Sequence, residues 1–234
     1  MNKVLAVMAH PDDVDFWAAG TVALWTAAGA EVVYLLVTGG DAGGFEDGAA
    51  RRDMAGRRRE EQRRAATELG VRDVRFLEGF ADGHVRVAED LVREITRAIR
   101  DTRPDLLLTQ SPSRAWHDIR LSHPDHLATG EATARAVYPF ARNPFAFPEL
   151  AAAGLPAFTV RELWLQGDPN PDHAVEVTDV WDRRARALAA HASQHPDLVA
   201  ALARARREAR ATAQKWGLPG DALAEEFKRI PIPD

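Results

Sequence analysis

Two short motifs carry histidines and carboxylates at a spacing that suits metal coordination. One runs His10-Pro-Asp-Asp13, with Asp15 just after it, and the other runs His123-Pro-Asp-His126. Several ionisable groups within so few residues are costly to bury unless they bind something. Two imidazoles and one carboxylate are the ligand set that leaves a catalytic zinc one open position for water. The motifs therefore predict a metal-dependent hydrolytic site, and His10, Asp13 and His126 complete its ligand count.

With those ligands, Asp12, His123 and Asp125 are free for acid–base chemistry and for orienting an imidazole. A simpler interpretation of each motif is a polar turn that caps a helix. A third copy, His195-Pro-Asp197, shows how weak His-Pro-Asp is alone, because there Pro196 is interpreted as opening a helix. The metal hypothesis rests on two motifs that each follow a strand.

The elements that must position these motifs alternate between apolar runs and amphipathic stretches. A buried strand over Val4–Met8 ends at the first motif, and one over Asp105–Thr109 precedes the second. Ligands bind beyond the carboxyl ends of strands in open parallel sheets. This order predicts an α/β fold, a Rossmann-like doubly wound, mostly parallel sheet with helices on both faces. Without a repeat or linker, residues 1–234 are expected to form a single domain.

Further elements are predicted from the same periodicities. The helices near the motifs are Phe16–Ala28, Arg57–Leu69 and Leu127–Val137. Beyond them we expect a covering loop over Asn143–Pro156, strands at Val160–Leu165 and Ala174–Val177, and helices at Trp181–His191 and Leu198–Lys215.

Composition narrows the function classes. The chain has 234 residues and no cysteine, so a metal must be held by nitrogen and oxygen ligands. The net charge of −5 gives no electrostatic reason to expect a nucleic-acid partner. No apolar run approaches the roughly 18 residues of a membrane span. We therefore expect a cytoplasmic protein with a small-molecule substrate, and a homo-oligomer is compatible with this.

The paired motifs resemble those of the LmbE-like or PIG-L family of metal-dependent de-N-acetylases. Weaker similarities to the family are spread along most of the chain, at Thr38–Gly43, Arg59–Gln62, Asp82–Gly83, His191–Gln194 and Glu225–Arg229. The resemblance implies an LmbE-like fold and a zinc cofactor, with Fe(II) as an alternative occupant in the cell. It also implies removal of an N-acyl group such as acetyl from an amino sugar, for example an N-acetylglucosaminyl compound.

The same resemblance implies a role for each polar residue of the motifs. His10, Asp13 and His126 would bind zinc, in agreement with the ligand count above. Asp12 would be the general base that takes a proton from the attacking water. His123 would stabilise the oxyanion or protonate the leaving amine.

Other residues receive supporting roles from the resemblance. Asp125 would fix an imidazole, that of His123, and Arg59 and Asp82 would bind sugar hydroxyls. Leu121 stands where mycothiol-pathway members have Tyr, so the substrate stays open. One alternative is an amidase acting on a larger thiol conjugate or a secondary metabolite. Another is a non-catalytic α/β ligand-binding module, which predicts no tightly bound metal.

Overall fold

Seven strands form one sheet in the computed structural model, which describes residues 2–45 and 53–233. Their order across the sheet is β3-β2-β1-β4-β5-β7-β6. They are β1 Lys3–Met8, β2 Glu31–Leu36, β3 Asp73–Phe76, β4 Leu106–Gln110, β5 Glu162–Gln166, β6 His173–Glu176 and β7 Ala224–Pro231. Strands β1 to β5 pair in parallel, whereas β7 is antiparallel to both of its neighbours. The predicted α/β fold with a mostly parallel sheet is confirmed.

Helices cover both faces of this sheet. They are α1 Asp13–Ala27, α2 Met54–Glu68, α3 Glu89–Thr102, α4 Pro124–Arg135, α5 Pro148–Ala152, α6 Trp181–Ala189 and α7 Leu198–Lys215. Alternate side chains of β1 enter two separate cores, with Val4 and Met8 packed against α1 and α6, and Leu5 and Val7 packed against α3 and α4. Burial on both faces explains why β1 is a continuous apolar run. Within the described ranges no helix is both long and apolar enough to cross a bilayer.

The structure corrects several predicted boundaries. Helix α1 begins at Asp13 rather than Phe16, and α4 begins at Pro124 rather than Leu127, so motif residues occupy the first turn of each helix. Proline suits the first helical position because its missing N–H would have no partner there. The predicted covering loop over Asn143–Pro156 contains the short helix α5.

Strand β7 was not predicted because it carries four charged residues, Glu225, Glu226, Lys228 and Arg229. Its buried carboxylate, Glu225, accepts hydrogen bonds from the backbone N–H groups of Gly20 and Thr21 in α1 at 2.8 and 2.7 Å. Arg184 lies 3.2 Å from the same carboxylate. The charge is thus compensated inside the fold, which an apolar-run criterion cannot detect.

Gly130 allows α4 to pack closely on the carboxyl end of β4. A Cβ built on Gly130 would overlap the carbonyl oxygen of Gln110 and would lie 2.9 Å from the backbone nitrogen of Pro112. Both contacts are with backbone, which cannot rotate away. We expect Gly130→Ala to lower the free energy of unfolding by roughly 1–3 kcal/mol, measured by urea denaturation.

The matched control for this prediction is the neighbouring Glu131→Ala. Glu131 makes an ion pair with Arg135, and the two side chains are 41% and 54% exposed. Such pairs contribute about 0–1 kcal/mol, so this variant should stay close to wild type. Equal destabilisation by the two variants would contradict the close-packing argument.

Candidate active site and metal centre

The first motif forms the turn between β1 and α1. Asp12 has a left-handed backbone with φ of 88°. This conformation costs a residue other than glycine about 1–3 kcal/mol and persists only where the surroundings enforce it. Here the backbone N–H of Asp12 donates to Oε1 of Gln62 in α2 at 2.8 Å. The turn is therefore held by a neighbouring element in a strained form that presents Asp12 and Asp13 side by side.

The second motif forms the start of α4. His123 is the N-cap residue, and its Nδ1 accepts a hydrogen bond from the backbone N–H of Asp125 at 3.2 Å. Burial and the nearby His10 and His126 lower the pKa of His123, which favours its neutral form. A neutral imidazole whose Nδ1 accepts must carry its proton on Nε2. His123 is therefore a hydrogen-bond donor at Nε2.

The two motifs meet at the carboxyl edge of the sheet. His10, His123 and His126 each have a ring nitrogen within 4.8 Å of the others. The Asp13 carboxylate lies between two of these rings, with Oδ1 3.1 Å from Nε2 of His126 and Oδ2 3.3 Å from Nδ1 of His10. Ligand atoms bound tetrahedrally to zinc at 2.0–2.1 Å lie roughly 3.3 Å apart. Each of the two Asp13 contacts, made through a different carboxylate oxygen, is close to that separation.

The proton on His123 bears on which residues could hold that metal. An imidazole nitrogen that carries a proton has no lone pair to offer a cation. The other donors around the cluster are His10, His126 and the carboxylates of Asp13, Asp82 and Asp125. The sequence motifs predict His10, Asp13 and His126 as the ligands among them. His123 is left free to donate a hydrogen bond into the site.

The second nitrogen of His10 faces two carboxylates. Its Nε2 lies 3.1 Å from Oδ2 of Asp125 and 3.1 Å from Oδ1 of Asp82. Metal-binding histidines commonly donate their other ring N–H to a carboxylate, which fixes the tautomer and the ring orientation. The resemblance implied His123 as the partner of Asp125, whereas the structure shows the Asp125 carboxylate at His10. The backbone N–H of Gly83, at 2.7 Å from Asp125 Oδ2, keeps the carboxylate on that side.

Asp12 and Asp13 are adjacent in the chain but have different electrostatic environments. Burial raises the pKa of Asp12, and the nearby Arg58 guanidinium only partly offsets this. Burial also acts to raise the pKa of Asp13, but His126 and His10 outweigh it and hold the pKa well below its usual value. Neighbouring groups whose pKa values are pushed apart suit different roles. Asp12 suits proton acceptance, and Asp13 suits permanent ionisation.

The arginine beside Asp12 is Arg58, not Arg59. The Arg58 side chain is buried, and its Nη2 lies 3.3 Å from Oδ2 of Asp12 and donates to the Pro11 carbonyl at 2.6 Å. A Cβ on Gly40 or Gly43 would overlap the Arg58 guanidinium, so the glycine-rich loop makes room for it.

The Arg59 side chain contacts Glu78 and Phe76 and not Asp12. Its Nη1 lies 2.9 Å from Oε1 of Glu78, and its guanidinium lies over the Phe76 ring. The buried face of α2 combines Arg58, Glu61, Gln62 and Ala65, which share the helical i, i+3, i+4, i+7 spacing. From the sequence alone, that periodicity could have identified Arg58 as the arginine on the buried face, among the five arginines between residues 57 and 64.

Asp82, for which the family resemblance implied a sugar-binding role, lies beside the motifs, 3.1 Å from His10. Its side chain is largely buried between His10 and Arg58, whose Nη1 is 3.8 Å from Oδ2. Burial acts to raise its pKa, but the contact with His10 outweighs burial and lowers it. The third motif copy lies at the start of α7, where Asp197 accepts from the backbone N–H of Ala200 at 2.9 Å. This copy does precede a helix, but α7 begins at Leu198 with Asp197 as its N-cap, so Pro196 lies before the helix and does not occupy its first turn.

Side chains that could hold a metal ion, namely His10 with His123 and His126 and also His10 with Asp82 and Asp125, cluster at the carboxyl edge of this sheet, as in metal-dependent α/β hydrolases. The chain belongs to the PIG-L family, whose model, described as GlcNAc-PI de-N-acetylase, matches residues 5–137. The similarity stated from the sequence motifs is thereby confirmed.

Relatives and solved structures agree with this assignment. The chain is 32% identical over 199 residues to the diacetylchitobiose deacetylase of Thermococcus kodakarensis, covering 85% of this chain and 72% of the relative. It is 30% identical to the probable N-acetyl-alpha-D-glucosaminyl L-malate deacetylase 2 of Bacillus anthracis, covering 87% and 86%. The N,N'-diacetylchitobiose deacetylase structure from Pyrococcus horikoshii matches with a TM-score of 0.89 at 27% identity, covering 98% of this chain and 84% of that one. The protein is an amide hydrolase of the de-N-acetylase class.

Proposed function

We propose that the protein is a zinc-dependent hydrolase that removes the N-acetyl group from an N-acetylglucosaminyl compound. The observation that carries this proposal is the Asp13 carboxylate lying between the rings of His10 and His126, with Asp12 beside it. The relatives named above, which act on N-acetylated amino sugars by their names, support the substrate class.

His10, Asp13 and His126 would hold the metal. When bound, zinc lowers the pKa of a water molecule to about 7 and polarises an amide carbonyl. Fe(II) is also held by two imidazoles and one carboxylate in many proteins, so the same residues suit it as the alternative occupant. Asp125 and Asp82 would keep the His10 ring in its metal-binding orientation.

Asp12 acts as the general base in this proposal. Its raised pKa makes it a better proton acceptor than an ordinary aspartate, and Arg58 orients its carboxylate. His123 donates from Nε2 to the oxyanion that forms on the former carbonyl oxygen. The loss of one such donor typically costs about 10²–10³ in kcat. The leaving amine needs a proton, which Asp12 or His123 supplies.

Asp82 and Arg58 would contact the sugar. Asp82 is an acceptor for a hydroxyl group, and Arg58 replaces Arg59 in the role that the family resemblance implied. Asp82 lies 3.1 Å from His10 and Arg58 lies 3.3 Å from Asp12, so a hydroxyl held by them would place the neighbouring N-acetyl group near Asp12.

An amine-release assay with and without a chelator tests the function. Suitable substrates are N-acetylglucosamine, diacetylchitobiose, N-acetylglucosaminyl malate and N-acetylglucosaminyl inositol. We expect release of free amine from at least one of them, loss of activity with chelator, and recovery on adding zinc or Fe(II).

The same assay separates the alternatives. Activity only on a thiol conjugate or a secondary-metabolite amide would move the substrate class away from simple amino sugars. A protein that binds no metal tightly and releases no amine would fit a ligand-binding module. Amine release that persists after complete metal removal would contradict the metal-dependent proposal.

A further inference from the structure

Two buried glutamines, from different elements, hold the strained turn of the first motif. Gln62 lies in α2 and Gln110 at the end of β4, and their side chains are at most 3% exposed. A primary amide offers both a donor and an acceptor in one plane, so it can bridge two groups and fix their relative position. Neither residue belongs to the ligand, acid–base or substrate-binding sets predicted from the sequence.

Gln62 contacts Asp12. Its Oε1 accepts from the Asp12 backbone N–H at 2.8 Å, and its Nε2 donates to Oδ2 of Asp15 at 2.7 Å. The same Asp15 oxygen lies 2.8 Å from Nε2 of His191, and Asp15 and His191 are fully buried. The Asp15 carboxylate accepts hydrogen bonds, so the NH₂ group of the Gln62 amide must face it. The amide oxygen of Gln62 therefore faces the Asp12 N–H.

Gln110 makes the corresponding contacts with Asp13. Its Nε2 donates to Oδ2 of Asp13 at 2.7 Å, and its Oε1 accepts from the backbone N–H of Ala9 at 3.0 Å. The carboxylate is thereby tied to the last residue before the motif. The Gln110 amide contacts the carboxylate of Asp13, whereas the Gln62 amide contacts only the backbone of Asp12.

We propose that these amides are positioning residues with separate tasks: Gln62, anchored by Asp15 and His191, sets the general base Asp12, and Gln110 sets the metal ligand Asp13. The inference rests on the proposed function for its kinetic part. Its structural part is that the two amides fix the two halves of the turn independently, and this part can be tested without measuring enzyme activity. Removing an outer partner of a metal site typically costs about 10–100-fold in affinity or activity, which sets the expected scale.

The variants Gln62→Met and Gln110→Met remove the polar contacts and nearly preserve side-chain volume. For Gln62→Met we expect kcat to fall about 10–100-fold, with KM and zinc affinity within about threefold of wild type. For Gln110→Met we expect zinc affinity to fall about 10–100-fold, with kcat largely recovered at saturating zinc. Zinc affinity is measured by competition with a chromophoric chelator, and the exposed Gln214→Met is the control expected to change neither quantity.

Amide hydrogen exchange provides a readout that does not depend on activity. Exchange at the Asp12 amide should accelerate in Gln62→Met, and exchange at the Ala9 amide in Gln110→Met, each without the other. If Gln62→Met does not fold, His191→Asn removes one donor to Asp15 and should lower kcat with unchanged zinc affinity.

Several outcomes would overturn the inference. Unchanged kcat in a folded Gln62→Met or His191→Asn, or a loss of zinc affinity of equal size in both methionine variants, would show that the tasks are not separate. If wild-type protein hydrolyses none of the substrates but the zinc and exchange differences appear as expected, the proposed function fails and the positioning of the turn stands.

Discussion

Replacing Asp12 with asparagine is expected to lower kcat by about 10²–10⁴-fold while leaving the bound metal in place. The substitution removes the proton acceptor without changing the size of the side chain. Asparagine also tolerates the left-handed backbone that this position adopts, with φ of 88°, better than most residues. The variant therefore tests the chemistry of the carboxylate and not the geometry of the turn.

The measurements for this variant are steady-state kinetics on the best substrate and metal content per chain. Asp12→Ala is a useful companion, because it removes the carboxylate and also adds backbone strain, so it should be less stable than Asp12→Asn. Retained kcat in a metal-loaded Asp12→Asn protein would remove Asp12 as the general base.

His126→Ala is expected to lose both metal and activity. His126 lies 3.1 Å from the Asp13 carboxylate and would be one of three ligands, so zinc affinity should fall by more than the roughly 100-fold typical of losing an outer partner. His123→Ala should instead retain the metal and lower kcat by about 10²–10³-fold, because it removes a hydrogen-bond donor to the oxyanion.

Metal content by mass spectrometry and zinc affinity by chelator competition distinguish these histidines. His173→Ala is the control, because His173 lies in β6 against Trp164, outside the cluster. A His126→Ala protein that binds zinc as tightly as His123→Ala does would rule out the ligand set of His10, Asp13 and His126.

Much of the fold follows from the sequence because β1, β2 and β4 are short, largely apolar runs that are buried on both faces. Strand β1 and the motif directly after it were predictable together. Ligands bind beyond the carboxyl ends of buried parallel strands, so ionisable residues at such an end indicate a binding site. Strand β7 was not predictable, because Glu225 is compensated by groups of α1 and α6 that are far away in the chain.

In the site, too, the local sequence predicts some features, whereas others depend on contacts between residues far apart in the chain. The residue types and spacing of the motifs indicated the chemistry, but Asp125 contacts His10 across 115 residues, which no local pattern encodes. The helical periodicity of α2 could have indicated Arg58 in place of Arg59, whereas Gln62 and Gln110 gain their contacts only through tertiary structure.

The position of β7 in the sheet determines when the sheet can be completed during folding. Strand β6 ends at residue 176, and its one pairing partner among the described strands is β7, which begins at residue 224. During synthesis on the ribosome β6 must therefore wait for almost 50 further residues before it has a partner. A chain truncated before β7 would lose two strands from the sheet, together with the carboxylate that tethers the helix bearing Asp13.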